Sequence, residues 1–367
     1  MRKRTWRTIC LVAVVVGLLA VSGPVVQTLT HPGRITLTQG EYARLANLDA
    51  DCPVGNDTDG PKYITLKLFG FIPIKKVAVD ILPFETVLVG GTPLGLCGQI
   101  DGVLVTADQD PLKKGDVIRA VNDQPVSDLA AWQRATADQS RVKVTLQRGQ
   151  KTITRPVAVS ANLPLRDTTN GVGMLTFVNP ENHTFAALGH QMSDFATGAA
   201  VDLTGGSVHT VNVFGIEPTQ ARTTGVLKGA IREDPCQGSI TKGDQFGVTG
   251  CFSADSTILA QTTTSMPVAT RYHVKPGAAT LRTSLDGVTV EEFSCEILKP
   301  RWQARRDDKS MVIRITDERL LSKTGGIIHG MSGSPIIQDG HLVGALTHAI
   351  THDPAKGYAL YVDFMTI

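Results

Sequence analysis

Along much of the chain, hydrophobic and polar positions alternate with a period of two. Tyr63-Ile64-Thr65-Leu66-Lys67-Leu68 and Val77-Ala78-Val79-Asp80-Ile81 show the pattern, as do Val142-Lys143-Val144-Thr145-Leu146, Thr152-Ile153-Thr154 and Ile313-Arg314-Ile315. Successive side chains of a strand point to opposite faces, so these runs predict half-buried strands. Gly102-Val103-Leu104-Val105 reads as a strand, and a helix is expected from about Asp128 to Ala137 with Ser127 as its cap. Residues 30–60 have little periodicity and many polar turn residues, and read as a linker. The expected architecture is mostly β.

One segment breaks the pattern. Arg2, Lys3, Arg4 and Arg7 precede an unbroken apolar run from Ile9 to Val21, followed by Ser22-Gly23-Pro24. Cations ahead of such a run stay in the cytoplasm while the rest of the chain crosses. The run suits the core of a signal peptide, and with Pro24 to Val26 it approaches the length of an anchor. Residues 1–28 are therefore expected to be a signal peptide or signal anchor. The remainder would lie outside the cytoplasm, tethered by a single pass or secreted.

Composition narrows the class. Of 367 residues, 36 are Lys or Arg and 34 are Asp or Glu, a balance that excludes the basic stripe of a nucleic-acid binder. Thirty-six glycines and few aromatics favour short strands joined by turns. Cys10 lies in the apolar run, and the other five cysteines cannot all pair within one chain. Cys236 and Cys251 are candidates for a disulfide in an oxidising compartment, with buried thiols the alternative. No C-x-x-C occurs, and no cofactor is implied.

The candidate chemistry lies in the last two hundred residues. Ser332 sits in Gly330-Met331-Ser332-Gly333-Ser334-Pro335, where a glycine-flanked turn exposes the hydroxyl. The N–H groups of Gly330 and Ser332 are the expected oxyanion donors. Ile336-Ile337, an Asp339-Gly340 turn and Leu342-Val343-Gly344-Ala345-Leu346 read as a hairpin. His190 closes the apolar run Phe185-Ala186-Ala187-Leu188-Gly189, where a strand end brings an imidazole into a cleft as general base. His209, His273, His329, His341, His348 and His352 compete with it. His348 and His352 are four apart, but their segment reads as strand and turn, so zinc is rejected and no metal is expected. Asp317, after the run Ile313 to Thr316, leads as the carboxylate that orients the base, with Asp194 and Asp363 as rivals.

Two resemblances organise these pieces. Leu112-Lys113-Lys114-Gly115-Asp116-Val117-Ile118-Arg119-Ala120-Val121-Asn122 resembles a PDZ signature, which implies an α+β PDZ domain over 85–158 binding an extended peptide at a sheet edge. The loop that would meet the peptide carboxylate is Leu94-Gly95-Leu96, a departure from the usual Gly-Leu-Gly-Phe. More widely, the chain resembles the stage IV sporulation protein B family of sporulation-signalling serine peptidases. The similarity runs through Lys67 to Lys75, Arg166 to Phe177, Ala187 to His190, Thr324 to Pro335 and Leu346-Thr347-His348.

That resemblance implies linker and N-terminal strands at 29–84 and a trypsin-like double β-barrel at 159–367. It implies His190, Asp317 and Ser332 as the triad. It further implies action at the membrane, or in the space between forespore and mother cell. There the enzyme would cleave itself, with the 30–60 linker a candidate site. It would then cleave a membrane-bound regulator of an intramembrane metallopeptidase that activates a late sigma factor. An envelope quality-control protease and a non-catalytic, membrane-anchored PDZ scaffold are the other readings. The former places its PDZ after the catalytic domain, and an intact His190, Asp317 and Ser332 count against the latter.

Overall fold

The computed structural model describes residues 34–48, 62–68, 72–220, 223–301, 303 and 306–365. The N-terminal segment expected at the membrane lies outside the described residues, and among those described no helix is long and apolar enough to span a bilayer. The chain divides into two compact units, residues 1–85 and 86–367.

The first unit is built on a three-stranded sheet. β1 (Arg34–Leu37) pairs in parallel with β3 (Ile72–Ile81), and β2 (Lys62–Leu68) joins β3 antiparallel on the other side. α1 (Gln39–Leu48) follows β1 directly. The Thr38 hydroxyl receives the Glu41 N–H at 3.1 Å while Glu41 Oε2 receives the Thr38 N–H at 2.8 Å, a reciprocal capping box. The expected linker at 30–60 thus contains a strand and a helix, whose Thr-x-x-Glu start is a local signal.

The second unit opens with β4 (Thr86–Val89) and the long β5 (Pro93–Val105), which serves two sheets. Its second half pairs with β6 (Val117–Val121), which carries the short β7 (Gln124–Pro125). α2 (Leu129–Thr136), β8 (Arg141–Arg148) and β9 (Lys151–Ala158) complete a sheet in the order β5-β6-β8-β9. Val103, Val105, Leu112, Ile118, Trp132, Val144 and Leu146 form its core, each worth about 1.5–3 kcal/mol on burial if large and apolar. Asp128, rather than Ser127, caps α2: its carboxylate receives the Ala131 N–H at 2.6 Å.

The first half of β5 enters a ring with β10 (Leu165–Val178), β11 (Thr184–Ala187), β14 (Leu203–Glu217), β16 (Gly238–Asp244) and β17 (Gly247–Phe252). Between them lie the two-residue pair β12 (Met192–Ser193) and β13 (Ala200–Val201), and β15 (Val226–Arg232), which pairs with β14. The ring closes because β5 pairs with β14 on one edge and β10 on the other. Leu94 and Leu96 are wholly buried in its core, with Phe185, Leu203 and Val248. Leu94, Gly95 and Leu96 are therefore not an open carboxylate-binding loop: both backbone edges are taken by neighbouring strands. For the same reason the barrel begins well before residue 159.

After α3 (Thr257–Gln261) and β18 (Ser265–Pro267), a second barrel closes through β19 (Gly277–Ser284), β20 (Val290–Pro300), β21 (Met311–Ile315), β24 (Lys356–Tyr361), β23 (His341–Ala349) and β22 (Pro335–Gln338). α4 (Glu318–Thr324) links β21 to the Ser332 loop. The hairpin expected after that loop is present, and its turn has positive φ at both Asp339 (50°) and Gly340 (76°). Cys236 and Cys251 form no disulfide. Their thiols lie on backbone carbonyls, Cys236 on Gly238 at 3.2 Å and Cys251 on Asn182 at 3.4 Å.

Candidate active site

The Ser332 loop is fixed from both ends. α4 stops at Gly325, a left-handed cap with φ 68° whose N–H reaches the Leu321 carbonyl at 2.8 Å. Leu227 N–H of β15 donates to the His329 carbonyl at 2.9 Å, and His329 N–H donates to Gly225 at 2.8 Å. Beyond the serine, Gly333 N–H donates to the Leu346 carbonyl of β23 at 2.7 Å. β10 of the first barrel grips the same turn: Met174 N–H donates to the Ser332 carbonyl at 2.7 Å and Thr176 Oγ1 to the Gly333 carbonyl at 2.7 Å. The Ser332 hydroxyl donates to the carbonyl of Thr347 at 2.8 Å. Among the described residues, the N–H groups of Gly330 and Ser332 have no protein acceptor, which leaves both donors available to a developing oxyanion.

His190 follows β11 after a turn with positive φ at Leu188 (70°) and Gly189 (72°). A Cβ on Gly189 would sit 3.2 Å from Thr347 Cγ2, so this turn lies directly against the strand that holds Ser332. Nδ1 of His190 lies 2.7 Å from the Gln191 carbonyl. A carbonyl only accepts, so Nδ1 carries the proton and Nε2 presents its lone pair. The His190 ring stacks on His348, centroids 4.6 Å apart and planes inclined by 35°. Burial, followed by repulsion from His348, pushes the His190 pKa down to about 4, against the pull of the Gln191 carbonyl and Asp308. His348 is likewise lowered, by burial and then by Lys309 and His329. His190 is thus held neutral at pH 7.

The three candidate carboxylates stand elsewhere. Asp317 is the N-cap of α4 and receives the Arg319 N–H at 3.0 Å, the Ser294 N–H at 3.2 Å and the Arg319 guanidinium at 2.9 Å. The Arg319 bond, more than any other cause, holds its carboxyl near 2. Asp194 is buried against Arg166, Thr169 and Thr197, and Asp363 is buried against Arg271. Among the described residues no carboxylate is hydrogen-bonded to either nitrogen of His190. Thr347 as the acceptor of the Ser332 hydroxyl and His348 as the ring against His190 emerge from the fold. Their signal was the segment Leu346-Thr347-His348, already marked by resemblance. His348 lies on β23 and His352 in the turn beyond, so their spacing does not place them on one helical face.

A polar cleft of about 730 Å³ is lined by Gln191, the residue after His190, and by Asp202, Thr204, Lys242, Asp244 and Phe246. Gln191 Nε2 donates to Asp202 at 2.7 Å, which fixes the wall beside His190. The arrangement suits nucleophilic attack by a serine with a histidine as base.

No curated protein matches the chain. The family model described as SpoIVB peptidase S55 matches residues 159–366, more than half of the sequence and the whole of the Ser332 and His190 neighbourhood. The chain belongs to the SpoIVB peptidase S55 family and is a serine endopeptidase.

Proposed function

We propose that Ser332 is the nucleophile and His190 the general base, with the N–H groups of Gly330 and Ser332 as the oxyanion hole. One observation carries this reading: Ser332 Oγ rests on the carbonyl of Thr347, and the next residue, His348, stacks on His190. Hydroxyl and imidazole therefore share one neighbourhood, and rotation about the serine Cα–Cβ bond releases the hydroxyl from Thr347. Nε2 of His190 takes its proton as Oγ adds to the scissile carbonyl, and returns that proton to the leaving amine. A water then repeats the sequence on the acyl-enzyme.

The two six-stranded rings support a trypsin-like reading of the catalytic unit, with the base on one barrel and the nucleophile on the other. The β5-β6-β8-β9 sheet with α2 supports a PDZ reading of residues 101–158, with its peptide site not at Leu94–Leu96. Family membership supports a role in sporulation signalling. In that role the enzyme is exported or tethered by its N-terminal segment, processes itself within residues 30–60, and cleaves a membrane-bound regulator of an intramembrane metallopeptidase.

The test is to express the full-length chain and its Ser332→Ala variant, then compare self-processing and labelling by a fluorophosphonate probe. Label and processing in the wild type, absent from the variant, are expected. Identical N-termini in both proteins would refute self-processing, and an unlabelled wild type would refute the nucleophile.

A further inference from the structure

We propose that His348 is a positioning residue for the base. Its imidazole, stacked on His190, holds that ring in place and couples the protonation of the two. This rests on His190 being the base of the proposed reaction.

The geometry begins with what holds His190. Among the described residues its side chain has one hydrogen bond, to the carbonyl of the next residue, Gln191, which fixes the tautomer but leaves the ring face unsupported. The face is covered by His348 at 4.6 Å between centroids. His348 is itself rigidly placed. It lies on β23 opposite Tyr358 of β24, and the preceding Thr347 hydroxyl bonds the Tyr358 carbonyl at 3.1 Å and the Asp308 carbonyl at 3.2 Å. The same Thr347 holds the nucleophile through its own carbonyl. One short strand segment therefore sets the position of both reacting side chains.

Nδ1 of His348 is buried and has no hydrogen-bond partner among the described residues. A buried polar atom left unsatisfied costs stability, and its retention beside a catalytic ring calls for a reason. Two imidazoles this close cannot both be charged cheaply, so the pair takes up protons in coupled steps. The groups that face the pair are Asp308, which attracts a proton to His190, His329, which repels one from both rings, and Lys309, which repels one from His348. At neutral pH both rings are neutral. When Ser332 passes its proton to Nε2, the new charge forms beside a neutral ring whose centroid lies 4.6 Å away, not beside a second cation.

His348→Phe keeps a flat ring and removes the titrating group; His348→Ala removes both. Two readouts are taken on the full-length chain in detergent micelles: fluorophosphonate labelling rate from pH 4 to 8, and the titration of His190 by NMR of ¹³C-imidazole histidine. The expected result is that His348→Ala labels about tenfold more slowly at pH 7.5 while His348→Phe stays within about threefold, a loss of positioning. In His348→Phe the His190 midpoint and the acid limb of labelling both move to higher pH. Wild-type rates in His348→Ala, or an unmoved His190 midpoint in His348→Phe, would overturn the proposal. An unlabelled wild type would refute the serine assignment instead, and the NMR midpoint would still decide the coupling.

Discussion

Ser332 Oγ donates to the main-chain carbonyl of Thr347 at 2.8 Å, so the proposed nucleophile is held by the residue that precedes the imidazole stacked on His190. The hydroxyl is parked on an acceptor that cannot deprotonate it. In the proposed reaction this bond must exchange for one to His190 before the proton can move.

Ser332→Ala should therefore separate stability from activity. The substitution removes one hydrogen bond from a half-buried hydroxyl, worth about 1 kcal/mol, and introduces no clash. Thermal unfolding should shift by a few degrees at most, while hydrolysis of a peptide substrate falls at least about a thousandfold. Residual hydrolysis above a tenth of wild type would point to a different nucleophile.

The acid limb of activity should lie unusually low. His190 has its pKa pushed to about 4 by burial, so the neutral base persists well below the ordinary imidazole range. The sign for stability follows. Between pH 6.5 and about 4 the unfolded chain binds a proton at this residue that the folded chain refuses, so stability drops as pH falls through that window. Labelling rates and melting temperatures from pH 4 to 7 check both halves. An acid limb near 6.5 would mean that the imidazole is not held neutral.

Asp317 is expected to serve α4 more than His190. Replacing it by Ala removes the cap and the Arg319 bond, at about 1 kcal/mol for the cap. In protein kept folded by low temperature, the labelling rate should fall far less than in His190→Ala. If Asp317→Ala and Asp317→Asn instead match His190→Ala while remaining folded, Asp317 is the orienting carboxylate that family resemblance implies.

What the sequence disclosed depended on range. Local signals were legible: alternation marked β2, β3, β8 and β21, and Asp339-Gly340 marked the hairpin. The segment before Gly115-Asp116 held its strand. The helix at 129–136 is legible, but Ser127 and Asp128 are both good caps and the fold uses Asp128. Asp317-Glu318-Arg319, ahead of an apolar pair and Gly325-Gly326, is likewise a cap signal, and it competed with a catalytic reading of the same residue. Non-local facts were not legible. Leu94-Gly95-Leu96 looks like a loop because of its glycine, yet that glycine lets Ile231 of β15 pack closely, a Cβ there meeting Ile231 Cγ2 at 2.7 Å. His190 and His348 meet where the first barrel packs against the second, which no spacing along the chain encodes.

The two glycines that flank the nucleophile should fail differently on substitution. Gly333 has φ 92°, and a Cβ there would lie 2.2 Å from the Met174 carbonyl and 2.5 Å from Leu188 N. Neither obstacle is a flexible side chain. Both are backbone of the first barrel, at the point where β10 grips the serine turn and the His190 turn begins. Gly333→Ala must therefore push these segments apart and adopt a disfavoured φ, which together cost about 3 kcal/mol or more and yield little soluble protein. Gly330 has φ 99°, but its added Cβ would meet only the Leu227 side chain, at 2.9 Å from Cβ. Gly330→Ala should fold with a lower melting temperature. Its labelling rate should fall about a hundredfold, because a turn shifted off Leu227 no longer aims the Gly330 N–H. Gly333→Ala folding normally, or Gly330→Ala labelling at the wild-type rate, would show that the tight approach of the two barrels at Ser332 is not what shapes the oxyanion hole.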